Sequence, residues 1–486
     1  MRTTGNTPVD GEVRAVASGA LANGKPVVVN ADGTVSIIVE TVDPTPELGS
    51  PTVYESANTQ GSDTATFDST NNKVIIAYRD TANSNFGTAV VGTVSGVSIT
   101  FGTPVVFESS YVYEISATFD SNSNKVVIAC SAAGTSNFGA AKVGTVSGTS
   151  ISFGSSVIFL AAASSEYSAN FDSANNKVVI AYRRTSNGYG TAVVGTVSGT
   201  SISFGSTVVF ESASSKFVAS TFDSTNNKVV ISYSDLGNTN KGTAVVGTVS
   251  GTSISFGSPA IFEDAIVNST SVTFDSNSNK VVVAYSDAGN SAFGTAAVGT
   301  VSGTSISFGT PVVFESANTV APSATFDSST NRVVISYRDT PNSNRGTLTV
   351  GTVSGTSISF ITPVVFETGA TTAKSDSAVF DSSANRVVIP YSDGNDGGFG
   401  KAVVVKSAEI STNLTAENYI GIAKGAASDT AVATVQTGCS INDAQSGLTA
   451  GQDYYVQTDG TLGLTPADPS VLAGTAVSAT KLIVKG

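Results

Sequence analysis

FDSTNNKVIIAYRDTANSNFGTAVVGTVSGVSITFGTPVVFES, residues 67–109, is the stretch on which the reading of the fold turns. Gly, Asn, Asp and Ser divide it into short runs of Val, Ile, Thr, Phe and Tyr. No 3.6-residue apolar spacing is sustained, so the runs read as strands and not as helix. The FDS opening returns at Phe119, Phe171, Phe222, Phe274, Phe326 and Phe380, a period of about 52 residues.

Each of the seven copies reads as four strands, which we label A (SATFD), B (KVVIAY), C (GTAVVGTV) and D (SISFGTPVVFE). The A–B turn (FDSxxN[K/R]) and the C–D turn (SGTS) hardly change between copies, whereas the B–C loops and the D–A connections vary. Strand B is apolar on both sides of its pleat, as a strand needs to be when both faces of its sheet are covered. A 52-residue period of four-stranded units predicts an all-β fold, a seven-bladed β-propeller with four strands per blade.

The ends of the repeat predict how such a ring closes. LGSPTVYES at 48–56 matches the D-strand ending FGTPVVFES at 101–109, and the last copy stops after its C strand, GKAVVVKS. Residues 51–56 are therefore expected to form the outer strand of the blade containing Phe380, an N-terminal strand that removes an open edge. The expected domains are an N-terminal β module (1–47), the propeller (48–406) and a C-terminal β module (407–486).

The flanks carry a quieter repeat. LANGKPVVVNADGTVS from Leu21 aligns without gaps with LTAGQDYYVQTDGTLG from Leu448, each a hairpin signal around Asp32-Gly33 or Asp459-Gly460. Flanks this short have little core of their own, so partner contacts or a homo-oligomer are expected to complete them.

Composition removes several function classes. The 486 residues contain no His and two Cys, which leaves no histidine-based nucleophile or general base and few transition-metal sites. A net charge of −13 without any Lys/Arg cluster argues against nucleic acid, and no apolar run is long enough for a membrane span. The start, MRTTGNTPVDGEVRAV, has no signal-peptide core, so export by that route is not expected. There is no Walker A pattern, dinucleotide fingerprint or cysteine ligand pair, and neither a cofactor nor a metal is expected. Asp68 and Asn72 of the first FDSxxN turn read as residues that hydrogen-bond the turn, not as cation ligands. Cys130 and Cys439 read as unpaired thiols. Cys130 stands where other copies have Tyr and is expected to be buried.

The stretch SGLTAGQDYYVQTDGTLGLTPADPSVLAGTAVSATKLIVKG and its counterpart ASGALANGKPVVVNADGTVS resemble short β modules at the ends of tailed-bacteriophage virion and fibre proteins. The blades resemble phage fibre repeats and, more distantly, the sialidase-like propeller, although the Asp and Trp of a sialidase Asp-box are absent from SGTSISF. The resemblance implies a virion structural protein of the fibre or capsid-decoration type. It would be located on the particle and held to other virion proteins through the terminal modules.

Alternating strand directions place the B–C loops and D–A connections on one face, the usual location of recognition on a rigid scaffold. The expected ligand-binding residues there are Tyr111, Tyr113, Tyr167, Tyr189, Phe217, Arg79, Arg183 and Arg338, with Arg184 and Arg345 on the same face. Aromatic rings among Arg, Asp and Asn suit a host-surface glycan or receptor. The alternatives are a sialidase-like glycan hydrolase and a bacterial surface adhesin. Hydrolysis needs two carboxylates at a set separation. Asp80, Asp235, Asp287, Asp339 and Asp393 recur symmetrically and read as turn caps, so no catalytic residue and no enzyme is expected.

Overall fold

The computed structural model describes residues 11–59, 63–132, 134, 136–372 and 377–485; nearly all are strand or turn, with helical geometry confined to 3-10 turns such as Leu236–Asn238. Two compact units emerge, one of residues 44–408 and one in which residues 1–43 join 409–486.

Within 44–408 the local rules repeat seven times. In the first repeat, A (Thr64–Asp68), B (Lys73–Asp80) and C (Phe86–Ser95) pair antiparallel in that order. Val74, Ile75, Ile76, Ala77 and Tyr78 are all fully buried, so both faces of strand B are covered, as the sequence requires. Each A–B turn is held by its Asp: Asp68 Oδ1 accepts from the amides of Thr70 (3.0 Å) and Asn71 (2.9 Å), and the other six copies repeat the motif. The Asn closing the turn is left-handed in every copy, from Asn72 (φ 54°) to Asn385 (φ 55°), a conformation Asn tolerates better than other non-glycine residues.

The variable D–A connections are not loops, contrary to the sequence reading. Five D strands run without interruption into the A strand of the next repeat, as 16-residue strands: Val105–Asp120, Val157–Asp172, Val208–Asp223, Ala260–Asp275 and Val312–Asp327. The first half of Val105–Asp120 pairs with strand C of its own sheet and the second half with strand B of the next, with register shifts at the crossing. The break lies earlier, at 102–104, where the SITF segment (Ser98–Phe101) gives way to Val105.

Residues Thr52–Asn58 pair with the seventh C strand, Phe399–Lys406, and fill its D position. Neighbouring sheets meet so tightly that a side chain is excluded at one point of the D segment in six of the seven repeats. A Cβ on Gly102 would lie 1.8 Å from the Thr149 carbonyl of the following C–D turn, and Gly154, Gly205, Gly257 and Gly309 are placed alike. Gly49 has the same relation to Val97, so the seventh sheet lies beside the first. The sixth repeat has Ile361 here, and its amide bonds the Val350 carbonyl just as the Gly309 amide bonds Val298. The seventh repeat has no C–D turn to collide with it.

The A strands of all seven repeats line one cavity of about 210 Å³. Adjacent A strands are bridged by serine hydroxyls: Ser116 accepts from the Ala169 amide (3.0 Å), Ser168 from Ser220 (2.9 Å), Ser271 from Ala324 (2.9 Å) and Ser323 from Ala378 (2.9 Å). Three of these contacts are buried and the Ala378 one half-buried, so the serines satisfy donors shielded from solvent.

The other unit is an internal duplication. One five-stranded sheet has the order Glu12–Val16, Val432–Gln436, Tyr419–Ala423, Pro26–Val29, Val35–Ile37; the second has Ile441–Asn442, Lys481–Val484, Val471–Ser478, Asp453–Val456, Leu462–Gly463. The two hairpins aligned in sequence match bond for bond. Asp32 Oδ1 accepts from the Thr34 amide and Asp459 Oδ1 from Thr461, both at 2.9 Å, with Gly33 and Gly460 left-handed. Val28, Ile38, Leu414, Tyr419 and Ile422 of the first half share a core with Tyr454, Val456, Leu482 and Val484 of the second. Each half is therefore complete only with C-terminal strands, and the repeat-bearing unit is an insertion into the first half. Its incoming and outgoing segments, Glu40–Asp43 and Glu409–Thr412, pair with each other.

Two outcomes are expected. Gly309→Val should lower stability by at least ~2 kcal/mol in urea titrations, since Thr356 O is 2.0 Å from the new Cβ, whereas Ile361→Val should cost no more than ~1 kcal/mol. A chain in which an Asn-Gly turn joins Asp43 directly to Glu409 should fold cooperatively, with dispersed amide resonances in NMR spectra, because both sheets keep every strand.

Candidate functional site

At each crossing, an amide of the D–A strand donates to the carbonyl of a B–C turn: Val112 to Asn85, Ser164 to Asn137, Ser215 to Gly188, Val267 to Asn240, Thr319 to Ala292 and Thr371 to Asn344. The B–C turns and the crossings thus share one end of the sheets, as expected, and the crossings are a firm strand floor.

The residues expected to bind ligand separate on this floor. Tyr113 is 47% and Phe217 39% exposed, the latter with φ 56°. Tyr111 stacks on Tyr113 with ring centroids 4.5 Å apart, and Arg79 lies over Tyr111 at 5.2 Å while donating to its hydroxyl at 3.1 Å. Arg79 is itself buried (8% exposed) and its guanidinium also reaches the Val112 carbonyl, so it braces the Tyr pair from below. Tyr189 is half-buried at the first position of its C strand. Tyr167 departs from expectation. It is 2% exposed, hydrogen-bonds Ser164 Oγ at 2.6 Å and packs on Phe159 and Tyr182 inside the inter-sheet core. Because the crossing is a strand, alternate residues point inward, and Tyr167 occupies an inward position.

Arg79, Arg183 and Arg338 occupy one register position, opposite Gly87, Gly190 and Gly346 of their own C strands. They belong to the first, third and sixth sheets, and the structure does not gather them into one clamp. Four of the five recurring acids serve the turns: Asp80 Oδ1 accepts from the Asn83 amide, Asp235 from Gly237, Asp287 from Asn290 and Asp393 from Asn395. Asp339 departs from expectation, its Oδ1 buried without a partner among the described residues.

The sequence reading missed a second set of contacts at this end. The Tyr ending strand B donates to the Glu of the preceding sheet's D strand at 2.8–3.1 Å: Tyr78 to Glu55, Tyr233 to Glu211, Tyr285 to Glu263, Tyr337 to Glu315 and Tyr391 to Glu367. Burial, reinforced by the facing carboxylates, pushes these phenols well above their ordinary range, and burial raises Glu55 and Glu263. Cys130 breaks the series, fully buried with its thiol pushed up to about 12 by burial. There Lys142 stands where four other repeats have Val and reaches Glu108 at 3.5 Å, meeting the carboxylate that the missing phenol leaves. In the third repeat Tyr182 packs in one core with Leu160 where other junctions place Glu, and Arg184 and Thr207 lie beside its hydroxyl.

Also unread was a set of aromatics opening the C strands. Phe86, Phe138, Phe293 and Phe399 occupy the Tyr189 position, all half-buried, and aligning the seven copies on the following Gly would have found them.

No family profile and no curated protein matches the sequence. Among solved structures, the chain is similar to the BP39L lectin from Burkholderia pseudomallei, with 12% identity over 74% of this chain and 98% of that one and a TM-score of 0.55. It also aligns with the Dos1 propeller (13% identity, 78% of this chain and 81% of that one, TM-score 0.41) and with NanB (11% identity, 73% and 70%, TM-score 0.41). The fold is all-β and of the propeller kind.

The contrast between inward and outward rings gives a measurable difference. Tyr167→Ala should lower unfolding free energy by ~3–5 kcal/mol, as large core truncations do, while Tyr113→Ala should stay within ~0.5 kcal/mol of the parent in urea titrations.

Proposed function

We propose that residues 44–408 form a closed seven-bladed propeller that binds glycans without hydrolysing them, mounted through the terminal unit on a phage-like particle. The observation that carries the binding reading is the row of half-buried aromatics opening five C strands, joined by exposed Tyr113 and Phe217, on a floor fixed by backbone hydrogen bonds. Aromatic faces pack on sugar rings, and a preformed floor loses little entropy on binding. The likeness to a bacterial lectin supports the same reading.

Closure is supported by the contacts of the seventh sheet with the first, Gly49 against Val97 and Tyr78 to Glu55, and by the shared cavity of all seven A strands. Against hydrolysis stands the engagement of most of the face's acids: four of the five recurring Asp cap turns, and five Glu accept from tyrosines. The virion assignment rests on the likeness of the terminal hairpins to phage modules. The insertion of the propeller into that terminal unit suits a mount carrying an interchangeable head, and other virion proteins are its proposed partners.

The purified chain should be retained on immobilised host-envelope polysaccharide without releasing reducing ends. Tyr113→Ala with Phe217→Ala should weaken retention about tenfold at unchanged thermal midpoint, since each lost stacking contact is worth ~0.5–1.5 kcal/mol. Release of reducing sugars would overturn the non-enzymatic reading, and full retention by the double variant would remove these rings from the site. Chains lacking the terminal unit should be missing from purified particles.

A further inference from the structure

The repeat is most informative where it breaks. In the first, fourth, fifth, sixth and seventh repeats strand B ends in Tyr-x-Asp, so an Asp sits beside the Tyr–Glu contact and that end of the junction carries two carboxylates, as with Glu211 and Asp235. At the junction of the first and second sheets Glu108 is kept and covered by Lys142. At the junction of the second and third sheets both acids are lost, with Leu160 of the second in the Glu position and Arg184 of the third in the Asp position, while the third sheet's own Glu211 accepts from Tyr233 of the fourth. Among the described residues Arg184 makes no ion pair. Its Nη2 donates to Thr207 Oγ1 at 2.7 Å, and its Nε is buried without a partner among the described residues.

Arg184 also stands beside a ring. The Gly188 amide donates to the Arg184 carbonyl at 2.9 Å, closing a short B–C turn whose other end is Tyr189. In the first, fifth and seventh sheets the same place pairs an acid with the aromatic, Asp80 with Phe86, Asp287 with Phe293 and Asp393 with Phe399. An anion is repelled by the junctions that carry two carboxylates and attracted at the one between the second and third sheets, and an arginine fork binds planar anionic groups through paired N–H donors.

We propose that the third repeat binds an acidic saccharide, with its carboxylate or sulfate ester on Arg184 and its sugar ring against Tyr189. The proposal deepens the glycan-binding reading and rests on it.

The test compares three probes of matched length by calorimetry: an oligogalacturonate, a sulfated galactan oligosaccharide and a neutral oligogalactoside. The parent chain should bind at least one anionic probe more tightly than the neutral one, less so as salt rises, and the better anionic probe identifies the group. Arg184→Asp restores the residue of the other repeats and should weaken anionic binding by about tenfold or more at unchanged thermal midpoint, leaving the neutral probe unaffected. Lys177→Asp makes the same charge change at the opposite end of the same sheet and should leave all three affinities in place. Equal binding of neutral and anionic probes, undiminished anionic binding by Arg184→Asp, or an equal loss with Lys177→Asp would overturn the proposal while glycan binding stood. Failure of all three probes to bind would overturn both readings.

Discussion

The repeat-bearing unit depends on the contact between neighbouring sheets. A four-stranded sheet with Val, Ile and Tyr on both faces has no stable existence alone, and the third sheet is covered by the second on one face and the fourth on the other. That contact is specified at three levels, each present at most of the junctions. At the innermost strands a serine hydroxyl takes a neighbouring amide, at the middle a Tyr hydroxyl reaches a neighbouring carboxylate, and at the outermost strand the absence of a side chain lets a carbonyl approach. Apolar area drives the approach, while these three contacts fix the offset of one sheet on the next.

Because the Tyr–Glu contact recurs at five of the seven junctions, departures from it are compensated locally or left open. Cys130 and Lys142 show compensation across two strands of one sheet, where a lost phenol is answered by a gained ammonium facing the same Glu108. Tyr182 and Leu160 show the open case, where a hydroxyl keeps its place after its acceptor has gone. A protein built of near-copies thus offers an internal control for every position, and a deviation stands out against six neighbours.

Much of the fold was legible because periodicity and turn chemistry are local. The FDSxxN turn, the doubly apolar B strand and the displaced D strand at 51–56 follow from residue types within a few positions of one another, and the pairing of Thr52–Asn58 with Phe399–Lys406 answers to that reading. The D–A crossings were misread because Ser, Ala, Asn and Gly between strands ordinarily signal loops, whereas here small residues let one strand leave its sheet and enter the next. Tyr167 was misplaced for the same reason. Its alternation along a strand became visible only once the strand was known to continue. The union of the two flanks was half legible: the matching hairpins announced a duplication, but Tyr419–Ala423 and Val432–Gln436 complete the first copy from more than 380 residues away, a pairing no local pattern encodes.

The ribbon of Glu40–Asp43 with Glu409–Thr412 has a mechanical consequence. A domain appended at one terminus hangs from a single backbone, and one cleaved peptide bond sets it free. Here the inserted domain is tethered by two backbones that leave the same ribbon side by side, so tension is divided between them. A single nick in either leaves a covalent connection intact, and the four paired residues hold the cut strand in place.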